Sequence, residues 1–183
     1  MKIEDNFLKQ EKFDKIQNLI MGNTFVWYFT DGIDFPTRYP DGKEIYLEEE
    51  DKGKFQFTHV FYYAQTYVSE FSSKLHPILE TINPLSLLRI KANLLTKTPS
   101  IIENAFHVDI KFDTDSPKKL AQWTTSIFYV NTNNGYTKFE DGTKVKSVAN
   151  RLVTFPTNMK HYGTSCTDEN VRIVINFNYF KNT

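Results

Sequence analysis

Four side chains of this sequence have the types and the order needed to hold a cation and an anion beside it: His107, Asp109, His161 and Arg172. His107 and Asp109 belong to FHVDI at 106–110. In an extended segment, whose side chains alternate between faces, they share one face while Val108 turns away. One short stretch thus offers a nitrogen and an oxygen ligand together. His161 is far along the chain, so only the fold can bring it to the pair. Two imidazoles and a carboxylate on one side of a metal leave the opposite positions open, which is the ligand set expected of non-haem Fe(II) that activates oxygen. A Zn(II) hydrolase site uses the same residue types. Histidines satisfied by ordinary hydrogen bonds are the plain alternative.

Arg172 favours the metal reading. The tail NVRIVINFNYF, 170–180, alternates, with Val171, Ile173, Ile175, Phe177 and Tyr179 on one face and Arg172, Val174, Asn176 and Asn178 on the other. A guanidinium on so apolar a strand is costly to bury unless an anion meets its fork of donors. The turn-like GTSCTDEN between His161 and Arg172 suggests two antiparallel strands that return Arg172 towards the metal. Fe(II) held by one carboxylate keeps a positive charge, so a dicarboxylic keto acid can chelate it at one end and pair with Arg172 at the other. The structural alternative for Arg172 is a salt bridge with Asp168, Glu169 or another acid.

With these residues in view, the chain resembles the Fe(II)- and 2-oxoglutarate-dependent oxygenase superfamily, near its prolyl-hydroxylase-like branch. His107, Asp109 and His161 match the iron ligands, and Arg172 matches the residue that pairs with the distal carboxylate of 2-oxoglutarate. NNGYTKF, 133–139, resembles the strand such enzymes place between the HxD segment and the distal histidine, and RIKANLL, 89–95, the strand before HxD. Asn134 and Gly135 stand where a paired glycine is usual, a departure that a type I′ turn tolerates. The resemblance covers about 85–180. It implies conversion of 2-oxoglutarate and O2 to succinate and CO2 with hydroxylation of a substrate, the protein supplying coordination and orientation. Asn93, Thr137, Thr154 and Asn176 are candidates to line the cosubstrate pocket, Asn93 through its place in RIKANLL. A non-catalytic jelly-roll metal- or small-molecule-binding module is the alternative from another class.

The elements that must position these residues read as many short strands with supporting helices. Strand patterns run through 87–95, 105–110, 123–130, YTKF, TKVKSV, 151–156 and the tail, with turn signals between them, as in a double-stranded β-helix of the jelly-roll or cupin kind. Upstream, Phe13, Ile16 and Ile20 recur at helical spacing after Asp5 and Asn6, which are candidate caps. NTFVWYF, 23–29, and KFQFTHVFYY, 54–63, read as extended, and 68–82 as an amphipathic helix that Pro77 kinks or divides. The helices are expected on the outer face of the larger sheet. Residues 1–84 then form support and 85–180 the catalytic core of a single domain. Trp123, Phe128 and Tyr129 read as sheet packing. Asp113 and Asp115 lie in a charged, turn-like run and read as solvated, and His59 and His76 as surface or locally bonded. Asp41-Gly42 marks a turn, and the loops at 31–53, 96–105 and 111–119 are the candidate substrate rim.

With 183 residues the chain has room for one substantial core and little for a second domain. Lysine plus arginine and aspartate plus glutamate each number 22, so no overall basic surface favours nucleic acid. The single cysteine, Cys166, a charged start and no membrane-length apolar run point to a cytoplasmic setting. Partners are expected to be a small-molecule or peptidyl substrate, with the protein a monomer or homodimer.

Overall fold

A computed structural model describes residues 1–33, 53–110 and 117–182. Asp41-Gly42, Asp113, Asp115 and most of two of the three rim loops lie outside them. Eleven strands are described, most of them where the sequence alternates: β1 (Lys2–Glu4), β2 (Tyr28–Asp31), β3 (Phe55–Tyr63), β4 (Thr66–Tyr67), β5 (Pro84–Thr96), β6 (Thr124–Tyr129), β7 (Tyr136–Phe139), β8 (Lys144–Lys146), β9 (Arg151–Pro156), β10 (His161–Gly163) and β11 (Val171–Lys181). The larger sheet runs β1-β9-β6-β11-β5-β3-β2, with β4 on β3, and the smaller β10-β7-β8. All pairings are antiparallel.

Residues 105–110, read as a strand, make no regular ladder. The chain instead touches β10 at two isolated bridges, Glu103–Thr164 and His107–His161, an irregular fourth strand for the smaller sheet. With β5, β11, β6 and β9 this makes two facing sheets of four, a jelly roll. The expected pairing of the His161 and Arg172 strands is also corrected: β10 and β11 belong to different sheets, so the two side chains approach from opposite walls.

The central strand β11 realises its two faces. Ile173, Ile175, Phe177 and Tyr179 join one cluster with Ile90, Ala92, Leu94, Phe128 and Leu152. Onto it pack Phe13, Ile16 and Ile20 of α1 (Gln10–Ile20) and Ile78 and Leu79 of α2 (His76–Ile82), so the helices cover the outer face as expected. Between the sheets lies a smaller cluster of Ile127, Tyr129, Phe139, Val145, Val153, Phe155 and Val174. Phe128 is fully buried beneath Phe7 and Phe13 at ring distances of 6.2 and 6.0 Å. Phe128→Ala is therefore expected to cost about 3–5 kcal/mol, measurable by urea unfolding.

Several local readings change. Asp5 and Asn6 do not cap α1, whose first residue follows Lys9; Asp5 pairs with Arg151 instead. Of the strand expected over 23–29 only Tyr28 and Phe29 pair in the sheet, as part of β2, since an unbroken apolar run carries no period to separate strand from packed loop. The helix read over 68–82 with a kink or division at Pro77 is in two pieces, a 3₁₀ turn, Ser72–Leu75, and then α2, with Pro77 in the first turn of α2, where its missing N–H costs nothing. The reading of His59 and His76 as surface or locally bonded holds: His59 is buried and bonded to Val26 O and Ser69 Oγ at 2.7 Å each. His76 is exposed, 3.5 Å from Glu80. Among the described residues no helix is long and apolar enough to cross a membrane.

Candidate metal centre

The two histidines are brought together by main chain. His107 N–H donates to His161 O and His161 N–H to His107 O, both at 3.0 Å, and the rings lie 5.0 Å apart. Each Nδ1 sits 3.1 Å from the carbonyl two residues earlier, Ala105 O and Met159 O. A carbonyl only accepts, so in the neutral ring Nδ1 carries the proton and Nε2 the lone pair a metal needs. Asp109 Oδ1 is 3.9 Å from His107 Nε2 and 3.8 Å from His161 Nε2, and the three ligand atoms lie within 4.8 Å of one another. Two donors about 2.1 Å from one ion stand at most about 4.2 Å apart, so each imidazole and the carboxylate are within reach of a shared cation. The donor set is two nitrogens and one oxygen, and it fits Fe(II).

Asp109 is held by the far sheet. Asn176 donates Nδ2 to Oδ1 and Oδ2 at 3.3 and 3.2 Å, and Asn178 donates to Oδ2 at 3.1 Å. Arg89 Nε in turn donates to Asn178 Oδ1 at 3.1 Å. These bonds hold both oxygens from the far sheet, and Oδ1 is the one that faces the imidazoles. Burial raises the carboxyl pKa, but His161, Arg89, His107 and the Asn178 bond outweigh it and lower it to about 2, so at neutral pH Asp109 is an anion. Asn178→Ala is expected to weaken Mn(II) binding about 10- to 100-fold, read by titration of the metal-free protein. Asn178 and Arg89 were not singled out in the sequence. The alternation of β11 puts Asn178 on the face of Arg172 and Asn176, and that signal was available.

Arg172 is 3% exposed. Its Nε donates to Ser147 Oγ at 2.8 Å, its Nη2 to Thr137 Oγ1 at 3.1 Å, and its guanidinium lies 5.8 Å from the Tyr129 ring. Among the described residues no carboxylate stands within ion-pair distance. Of the alternative partners, the Asp168 carboxylate accepts from Asn134 N–H at 3.0 Å. Burial pushes the guanidinium pKa below the ordinary arginine value. Two glycines make room for it: a Cβ on Gly135 would lie 2.7 Å from Arg172 Cδ, and one on Gly163 3.0 Å from Nη1. Gly135 is therefore a close-approach glycine. Neither it nor Asn134 has positive φ, so the expected type I′ turn is absent.

One cavity of about 270 Å³ is lined by all four residues together with Asn93, Thr137, Asn176, Arg89, Lys91 and Asn104. Thr154 is not among its lining residues; its hydroxyl meets Ser126 at 2.8 Å. Thr137 accepts from Tyr129 and Arg172, which leaves its own hydroxyl proton to donate. Of the candidate rim loops, 31–53 contributes Ile33 and 96–105 contributes Asn104.

No family model and no curated protein matches the sequence. Solved structures do. A prolyl hydroxylase from Trichoplax adhaerens, in complex with a hypoxia inducible factor oxygen degradation domain peptide fragment, is 14% identical with a TM-score of 0.58, covering 98% of this chain and 83% of that one. A Pseudomonas putida prolyl-4-hydroxylase is 12% identical with a TM-score of 0.53, covering 100% and 92%. The non-haem alpha ketoglutarate dependent epimerase SnoN from nogalamycin biosynthesis is 9% identical with a TM-score of 0.59, covering 99% and 77%. At such identities the likeness is one of fold. In its fold, then, the chain is similar to the prolyl hydroxylases and their 2-oxoglutarate–Fe(II) oxygenase relatives.

Proposed function

We propose that the protein is an Fe(II)- and 2-oxoglutarate-dependent dioxygenase that hydroxylates a small-molecule or peptidyl substrate. The observation that carries this reading is Arg172. It is a buried guanidinium with no carboxylate partner among the described residues, in the same cavity as a His–Asp–His group. A permanent cation out of water calls for an anion, and three of its five N–H donors remain after Ser147 and Thr137 are served. Position favours a short diacid as that anion. On β11, Arg172 is four residues from Asn176, which touches Asp109, roughly 13 Å along an extended strand. The long arginine side chain and the metal's own coordination sphere narrow that gap from its two ends.

His107, Asp109 and His161 would hold Fe(II), and iron so held would supply the oxidation of 2-oxoglutarate by O2 to succinate and CO2 that is coupled to hydroxylation. In this reading Arg172 pairs with the distal carboxylate of 2-oxoglutarate. Thr137 donates its hydroxyl proton beside it, and Asn93 lines the slot between. Asn176 serves through Asp109, since its N–H groups are directed there. Asn178 and Arg89 fix the carboxylate in turn. The peptide bound by the Trichoplax enzyme makes a peptidyl substrate one natural choice, and a cytoplasmic setting remains the expectation from the sequence.

The test is an anaerobic titration of the Fe(II)-loaded protein with 2-oxoglutarate, followed by the visible charge-transfer band of the chelate. Saturable growth of the band is expected. Its absence in protein that binds iron would sink the reading and favour a metal-binding jelly roll without this chemistry.

A further inference from the structure

Two side chains in the cavity ask for something that neither 2-oxoglutarate nor O2 possesses. Asn104, 7% exposed, stands on the wall that carries His107 and donates Nδ2 to Gly163 O at 2.7 Å. Asn176, 9% exposed, stands on the opposite sheet and donates Nδ2 to both oxygens of Asp109. A carbonyl and an ionised carboxylate accept only, so neither amide can be turned round without setting oxygen against oxygen. Both Oδ1 atoms are therefore acceptors. Both are buried, neither meets a hydrogen-bond donor among the described residues, and both residues line the cavity.

Leaving a buried amide oxygen without a donor costs about 1–3 kcal/mol, and folded proteins keep few such atoms. Each oxygen calls for an N–H or O–H group. The 2-oxoglutarate dianion has only acceptors, and O2 has no hydrogen. The donors must come from another molecule that enters the same space.

We propose that the substrate is recognised through N–H or O–H groups donated to Asn104 Oδ1 and Asn176 Oδ1, which makes it an amide- or hydroxyl-bearing molecule and these two residues determinants of specificity. The inference rests on reading the cavity as an oxygenase site. Because the oxygens lie on facing sheets, such a substrate is gripped from both walls. A hydrocarbon or a fully alkylated amide of the same size leaves both acceptors unmet and is rejected.

The experiment uses three small probes on crystals of the full chain loaded with Mn(II) and 2-oxoglutarate: acetamide, ethanol and N,N-dimethylacetamide at equal concentration. Acetamide or ethanol is expected within hydrogen-bonding distance of one Oδ1, with the dimethyl compound absent. In solution, Asn104→Leu is expected to bind the donor probe about tenfold more weakly by NMR titration while keeping 2-oxoglutarate. If that variant does not fold, the wild-type soaks decide alone. Equal occupancy by N,N-dimethylacetamide, or oxygens that keep only water in every soak, overturns the proposal. Soaks of metal-free protein address the same two atoms, so failure of 2-oxoglutarate to bind would remove the functional reading while leaving this test standing.

Discussion

Arg172→Met is expected to weaken 2-oxoglutarate binding by at least about thirty-fold, because removing one member of a buried, hydrogen-bonded charge pair costs about 2–5 kcal/mol. The same substitution is expected to leave the stability of the ligand-free protein nearly unchanged. Without an anion, Arg172 is an uncompensated buried charge, and replacing it by an apolar side chain of similar length removes a desolvation cost. Against that stand the bonds to Ser147 and Thr137 and the contact with the Tyr129 ring, worth about 1 kcal/mol each. A structural arginine behaves the opposite way, losing stability and leaving ligand affinity alone. Urea unfolding and an anaerobic titration on the same variant separate the two. Wild-type protein should also gain about 2.7 kcal/mol of stability at a hundredfold excess of 2-oxoglutarate over its Kd, a gain the variant forfeits.

The second large effect is expected for His161→Ala. Its side chain is 3% exposed, and its ring packs 4.9 Å from Phe155 and 5.7 Å from Phe139. Removing a residue that merely orients a ligand costs about 10- to 100-fold in metal affinity, and removing the ligand itself should cost on the order of 100-fold or more. Aerobic succinate release with Fe(II), with substrate present or as uncoupled turnover, should fall with it. Activity equal to wild type at the same iron concentration would take His161 out of the proposed role.

Much of the site could be read from residue types and period. The alternation of β11 placed Arg172, Asn176 and Asn178 on one face, and the coordinates put that face toward the cavity. His107, Asp109 and His161 could be named because their chemistry is rare and their context strand-like. The failures have physical causes too. FHVDI alternates, yet the chain around it makes bridges and no ladder, since alternation reports which side chains turn inward and says nothing of whether a neighbour's amides are in register. Asn134-Gly135 suggested a hairpin turn through dihedral freedom, whereas Gly135 is there for lack of a side chain against Arg172, a need visible only once distant residues meet. Asp5 and Asn6 had capping chemistry, but a long-range partner, Arg151, took Asp5.

The reciprocal main-chain bonds between His107 and His161 would tie the fate of a bound cation to the edge of the smaller sheet. The segment carrying His107 and Asp109 is attached there by isolated bridges, so peeling it away parts two donors from the third in a single movement. Ion exchange with the surroundings would then be a fraying event paced by backbone opening. Slowed deuterium uptake at those two amides upon loading would be its signature.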